Sequence, residues 1–242
     1  MKTNAHSVQR AIADLARTMH ASSSSGPHTA DDVIAEVTAG ATRMVPGVDH
    51  AGISLLQRHG KKHTFEAKAP TGAISEFIDR VQDTVGDGPC LHAIRNRCTV
   101  LVDDYTTESR WPELTAALLD GTPVRSSVSI LLYTDQHSIG ALNLYSETPH
   151  AFDETVVDEA EALAAHAAVG ISGARRDAQF RSALASRDII GQAKGIVMER
   201  FGLDALQAFR LLSKVSQDRN VPVVQLAEQL ATTNIPMVPN SG

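Results

Sequence analysis

The sequence predicts an α+β domain, with a central antiparallel sheet flanked by helices, followed by an all-α domain of three short helices. Three observations predict it. Strand-like runs come in pairs across short polar turns, Ala51 to Leu56 with His63 to Ala67 and Val124 to Tyr133 with Ile139 to Tyr145, and stretches of helical period surround them. Residues 187 to 232 hold three amphipathic helical segments separated by helix-stopping residues. Between the two regions, Glu154 to Ala185 is proline-free and helical in period, so no flexible linker separates the domains.

In chain order, residues 7–20 read as an amphipathic helix and residues 21–29 (ASSSSGPHT) as a Ser/Gly/Pro linker, so that residues 1–30 precede the first domain. From Ala30 to Met44, Val33, Ile34, Val37, Ala41 and Met44 recur on one helical face. Pro46-Gly47 turns the chain into the first hairpin, whose basic turn spans Arg58 to Lys62. Ala73 to Val81 is again helical, Gly86 to Pro89 is a tight loop, Cys98 to Val102 is rich in β-formers and Glu113 to Leu119 reads as a helix. The second hairpin turns at Thr134 to Ser138. The domain limits that follow are 31–152, a connecting helix or coiled coil at 153–185, a helical domain at 186–233 and a flexible tail at 234–242.

At 242 residues and 43% hydrophobic content, the chain can bury two cores. No apolar run approaches membrane-spanning length, and the N-terminus lacks the layout of a signal peptide, so a cytoplasmic location without membrane contact is expected. Cys90 and Cys98 are too few for a disulfide framework, and ten histidines show no metal-ligand spacing. No metal or cofactor is expected. The net charge of −6 is unevenly placed: residues 175–242 hold nine Lys/Arg against six Asp/Glu, a net +3, which leaves −9 for the rest. The direction fits a nucleic-acid partner for the C-terminal end.

In residues 187–232, Gly202 and Asp204 separate the first helix from the second, and Asn220 with Pro222 introduces the third. At about 100° per residue, Ile189, Ile190, Ala193, Ile196 and Val197 fall on one side of the first helix and Arg187, Gly191, Lys194 and Gly195 on the other. Each helical glycine costs roughly 1 kcal/mol relative to alanine, so two of them beside two cations mark a surface that something must approach closely. Arg210 and Lys214, four residues apart on the second helix, could extend the basic surface. A phosphate backbone is one occupant; the other reading is a helical dimerisation module whose glycines pack against a second helix.

The pattern formed by Arg187, Ile190, Ala193-Lys194-Gly195-Ile196, Met198, Ala208-Phe209, Leu211-Leu212, Ser216, Asn220 and Ala227 resembles the ANTAR domain, the RNA-binding antiterminator module of bacterial response regulators. The resemblance implies binding of paired stem-loops in nascent transcripts, which prevents an intrinsic terminator from forming. It also implies an RNA-binding surface made of Arg187, Gly191, Lys194, Gly195, Met198, Arg210, Lys214 and Ser216. Upstream, GDGPC at 86–90, the run from Val102 to Leu114 with its RWPEL, VRSSVSILL at 124–132 and IGALNLYS followed by AFDE resemble a GAF domain. Such domains commonly hold small molecules between the sheet and its covering helices. The cyclic-nucleotide signature and any bilin or haem context are missing here, so an empty or protein-binding domain is the alternative to a small-molecule ligand.

Pro89 can open a helix, which would put Cys90 in a first turn where the dipole lowers a thiol pKa; a redox sensor and a small core residue both fit. Asp103-Asp104 reads as a strand-end turn, since the hairpins exclude a receiver-like parallel order. Ser126, Ser127 and Ser129 lack a His/Asp arrangement, and no catalysis is expected. In the connecting helix, Val156, Ala160, Leu163, Ala167, Ile171, Ala174, Ala178 and Phe180 or Arg181 follow alternating three- and four-residue steps, which predicts the coiled coil of a homodimer or a shared helical bundle, or else a helix that covers its own sheet. The expected whole is a non-enzymatic cytoplasmic transcription antitermination regulator. A DNA-binding regulator and a ligand or redox sensor that binds only proteins are the alternatives.

Overall fold

The computed structural model describes residues 29–59, 62–134 and 137–232; the expected N-terminal helix, the linker to residue 28 and the tail from 234 lie outside them. The chain forms two compact units that divide between Arg175 and Arg176.

In the first unit, α1 (Ala30–Met44) opens with a reciprocal cap. Thr29 Oγ1 accepts from the Asp32 N–H at 3.2 Å, and Asp32 Oδ2 accepts from the Thr29 N–H at 2.8 Å. The hairpin β1 (His50–His59) and β2 (Lys62–Lys68) follows, then α2 (Ala73–Val85) and α3 (Pro89–Asn96). Next come β3 (Val100–Val102), α4 (Pro112–Gly121) and a second hairpin of β4 (Ser126–Thr134) and β5 (His137–Ser146). Both hairpins, and the helices around them, lie where the sequence predicts, with ends shifted by a few residues: β4 starts at Ser126 rather than Val124, and β3 at Val100 rather than Cys98. The five strands form one antiparallel sheet in the order β2-β1-β5-β4-β3.

The alternation of side chains gives this sheet two unlike faces. Ala51, Ile53 and Leu55 of β1, Val128, Ile130 and Leu132 of β4, and Leu142 and Leu144 of β5 point to one side. There they are buried with Val33, Ile34, Val37 and Ala41 of α1. The other side presents smaller and more polar residues: Gly52 and Ser54 of β1, Ser127 and Ser129 of β4, and Ala141, Asn143 and Tyr145 of β5. These are buried as well, with the cores formed by α2, α3 and α4 nearby.

The helix α5 runs from Glu154 to Phe201, 48 residues, and its first turns answer one of the two readings of the connecting helix. Ala160, Leu163, Ala164, Ala167, Ala168 and Ile171 are all buried in the apolar core with α1 and the sheet. The alanine-rich seam therefore covers its own sheet, where small residues let helix and strands approach closely. The exposed large apolar residues of α5 lie elsewhere: Val169, Phe180, Leu184 and Phe201.

In the second unit, Ala193 and Val197 of α5 meet Ala208 and Leu212 of α6 (Ala205–Arg219) and Leu226 and Ala227 of α7 (Val223–Thr232). Gly202, at φ +60°, ends α5 in the left-handed region that favours glycine. Asp204 then caps α6, with Oδ1 accepting from the N–H groups of Leu206 and Gln207, while Gln207 Oε1 accepts from the Asp204 N–H. Asn220, at φ +52°, ends α6. Three of the six buried core residues are alanine, so this core is small.

Candidate functional sites

The last turns of α5 and the start of α6 build the first site. With Ala193 and Val197 turned into the small core, the 100° helical step carries Arg187, Gly191 and Lys194 to the outer side. There they line an open groove of about 580 Å³ together with Ala183, Ser186, Ile190 and, from α6, Phe209. A Cβ added at Gly191 or at Gly195 would meet no atom within 4 Å, so neither glycine is needed for packing inside the chain. Among the described residues, Arg187, Lys194, Arg210 and Lys214 form no salt bridge, which leaves four cations free to bind an anion.

Of the residues expected at an RNA surface, the groove brings together Arg187, Gly191 and Lys194. Gly195, Arg210 and Lys214 are exposed but outside its lining. Met198 packs against the small core. Ser216 donates its hydroxyl proton to the Val221 carbonyl, and the Val221 N–H returns a bond to the Ser216 carbonyl at 3.0 Å, so this serine closes the turn between α6 and α7. Sequence reasoning left Ala183, Ser186, Ile190 and Phe209 out of the site, and the aromatic one is Phe209. It is 45% exposed although its neighbour Ala208 is fully buried, and one helical step from a core position was the signal available.

The second site lies under the polar face of the sheet. Asn143 Nδ2 donates to Ser54 Oγ at 3.0 Å, and Ser54 Oγ donates to Asp79 Oδ1 of α2 at 3.4 Å. Asp79 Oδ2, Asn143 Oδ1 and the Tyr145 hydroxyl are buried without a hydrogen bond of good geometry among the described residues, although Tyr145 is near enough to Asp79 to act on its carboxyl. Burial pushes the Asp79 carboxyl up to about 7, against the weaker opposing pull of Ser54 and Tyr145. At 7% exposure Asp79 shares the buried stripe of α2 with Ser75, Ile78 and Gln82.

Cys90 adjoins this region, and the structure corrects the expectation of a lowered thiol pKa. Pro89 does open α3, and the Cys90 N–H is held by Gln82 Oε1 at 3.1 Å. The thiol, however, is buried with Ile94 and Ala141, and desolvation pushes it up to about 11. Burial outweighs the helix dipole, and the environment is that of a core cysteine rather than an activated one. The preceding Gly88, at φ +151°, is a position only glycine fits: a Cβ there would lie 2.5 Å from Gln82 Oε1 and 2.9 Å from Leu114. Asp103 and Asp104 sit in the turn after β3, where Asp104 Oδ1 accepts from the Thr106 N–H at 2.8 Å. Among the described residues no group of His, Cys, Asp and Glu is placed to hold a metal ion, and no helix is long and apolar enough to cross a membrane.

The sequence profile of the GAF domain family matches residues 27–172, and that of the ANTAR domain matches residues 178–230. The chain is a GAF-ANTAR protein. Its GAF fold is similar to that of solved GAF domains. One is from a phosphoenolpyruvate-protein phosphotransferase of Coxiella burnetii, at 14% identity and a TM-score of 0.53 over 73% of this chain and 99% of that one. Another is from an Acinetobacter phosphoenolpyruvate-protein phosphotransferase, at 14% identity and a TM-score of 0.51 over 73% and 96%. A free methionine-R-sulfoxide reductase from Neisseria meningitidis, solved with its substrate, is 18% identical with a TM-score of 0.50 over 70% and 91%. At such identities the likeness is one of fold alone. A comparison with curated proteins finds no match. The groove of Arg187, Gly191, Lys194 and Phe209 thus belongs to the ANTAR domain, and the polar cluster around Asp79 to the GAF domain.

Proposed function

We propose that this GAF-ANTAR protein is a cytoplasmic transcription antitermination regulator, whose GAF domain controls an ANTAR domain that binds stem-loop RNA in nascent transcripts. It acts without catalysis. The observation that carries the reading is the groove of the ANTAR domain, where Arg187 and Lys194, free of salt bridges among the described residues, flank a glycine with open space above it. Cations around a close-approach glycine suit a phosphate backbone, because each neutralised phosphate releases condensed counterions. The net +3 of residues 175–242, against −9 elsewhere, has the matching sign.

The regulator works as a homodimer. The residues that support this are Phe180 and Leu184, one helical turn apart and 70% and 50% exposed, which a second copy would cover. In the GAF domain, the buried polar atoms Asp79 Oδ2 and Asn143 Oδ1, unpartnered among the described residues, support a small-molecule signal with polar groups of its own.

The experiment is a binding comparison of the purified chain with hairpin RNAs from terminator-proximal leaders and with duplex DNA of the same stem sequence. Tight, salt-dependent binding of the RNA hairpin over the DNA is expected. Preference for duplex DNA would replace this reading with that of a DNA-binding regulator, and binding of neither would leave a protein-binding sensor.

A further inference from the structure

We propose that the groove between α5 and α6 receives one unpaired loop nucleotide of the RNA, with its base stacked on the Phe209 ring and its phosphate held by Arg187 and Lys194. This rests on the RNA-binding reading and deepens it, since it names the part of the RNA that is recognised and a residue that recognises it.

The ring is the observation to be explained. Phe209 stands 45% exposed in a domain whose core is short of bulk, beside Ala208 and three residues before Leu212, both buried. One helical step would have placed it inside, yet it lines the groove together with the two cations. A duplex backbone needs only cations and gives a phenyl ring nothing to do, because the deep, narrow major groove of A-form RNA keeps base faces away from side chains. A splayed base in a loop does offer its face, and stacking on an aromatic ring is tolerant of which base is presented. Arg187, Lys194 and Phe209 together supply what such a nucleotide carries, a charged phosphate and a flat π-surface. Gly191 keeps the floor between them open, with no atom within 4 Å of where a Cβ would be.

A second copy of the chain is a poorer occupant. A two-fold contact through this groove would set Arg187 and Lys194 against their own copies, with repulsion in place of complementarity. Phe180 and Leu184, earlier on α5, are uncharged and offer a second copy an apolar surface of their own.

The test uses the full chain and the tightest hairpin selected from a pool with a randomised loop, made with a fluorescent purine analogue at each loop position in turn. Phe209→Ala should weaken that hairpin roughly ten- to a hundredfold, which is the usual range for one stacked base. Phe209→Leu, which keeps apolar bulk and hence the fold, should weaken it nearly as much, whereas Phe209→Trp should bind like wild type. Wild-type protein should quench the analogue at one loop position, and both ring-less variants should abolish the quenching. The inference is overturned if Phe209→Leu retains full affinity and quenching while Lys194→Ala loses affinity; the RNA reading then stands with backbone contacts only. If wild-type protein selects no hairpin, the RNA reading fails and the inference with it. Protection of the groove by dimerisation in the absence of RNA would assign it to a second copy and equally overturn the inference.

Discussion

Asp79→Asn should remove a pH dependence of stability built into the GAF domain. An ordinary aspartate titrates near 3.8, and burial raises this one to about 7. Between those values the unfolded chain has lost the proton while the folded chain keeps it. Folding is therefore favoured at low pH, and its stability falls as pH rises, by about 1.4 kcal/mol per pH unit, until the folded carboxyl itself ionises. Over that window the loss is of order 4 kcal/mol, complete above pH 7, where a carboxylate is left buried with Oδ2 unpartnered. Asparagine stays neutral throughout, can still accept from Ser54, and brings donors to a cluster where the Asn143 carbonyl oxygen is open. Urea unfolding of both proteins, read from Trp111, the single tryptophan of the chain and buried in this same unit, isolates the effect. Subtracting the two stabilities cancels the other titrating groups. The difference should shift in favour of the variant by a few kcal/mol between about pH 4 and about pH 8. A difference that stays flat across this range would refute the buried, neutral state of Asp79.

Lys194→Ala should weaken hairpin RNA and lower the salt slope by roughly 0.7 to 0.9, the increment of a single phosphate contact; unchanged affinity and slope in the Arg187 and Lys194 double variant would sink the groove as the phosphate site. Ser216→Ala, which deletes the bond to the Val221 carbonyl, should cost about 1 kcal/mol of stability in thermal or urea unfolding yet leave the RNA affinity of the folded protein unchanged. Alkylation at neutral pH should label Cys98, which is exposed, and spare Cys90; rapid labelling of Cys90 in folded protein would contradict a thiol raised to about 11. Phe180→Asp with Leu184→Asp should give folded monomers by sedimentation, whereas Leu163→Ala should instead lower stability by about 2–5 kcal/mol, since Leu163 lies in the core; a charged double variant that remains dimeric would place the dimer contact elsewhere.

Much of this fold is legible in local chemistry. Asp204 and Gly202 announce the break between α5 and α6, Pro89 the start of α3, and Val33, Ile34, Val37 and Ala41 the buried face of α1, because capping and helical period act within a few residues. The polar cluster is less legible. Gly52 with Ser54, Ser127 with Ser129, and Ala141 with Asn143 alternate as on a solvated sheet face, and only the cover of α2, α3 and α4 buries them. Asp79 is hidden for the same reason: next to Ile78, a carboxylate at the edge of a helical stripe reads as solvated until the sheet face it meets is known to be polar. In α5, the three- and four-residue steps of Ala160, Leu163, Ala167 and Ile171 are identical for a coiled-coil seam and for a helix lying on its own sheet. Arg187, Gly191 and Lys194 could be grouped from helical period alone, but Phe209 required the packing of α6.

The stretch of α5 from Arg176 to Ala185 differs from what precedes and follows it, since every residue in it is exposed. Ile171 is the last fully buried residue before it and Ala193 the first after it. Helix packed on either side nucleates it, so this stretch stays helical without apolar contacts of its own. Covering Phe180 and Leu184 with a second copy would add the missing apolar contact at that point, where roughly 25 cal/mol is gained per Å² of apolar surface buried. Dimerisation would then stabilise the helix between Arg176 and Ala185. The three residues Arg187, Gly191 and Lys194 follow directly on this stretch, on the same helix. A signal that favours or opposes pairing at Phe180 and Leu184 would therefore act on the helix that carries the groove, without any change in the groove's own side chains.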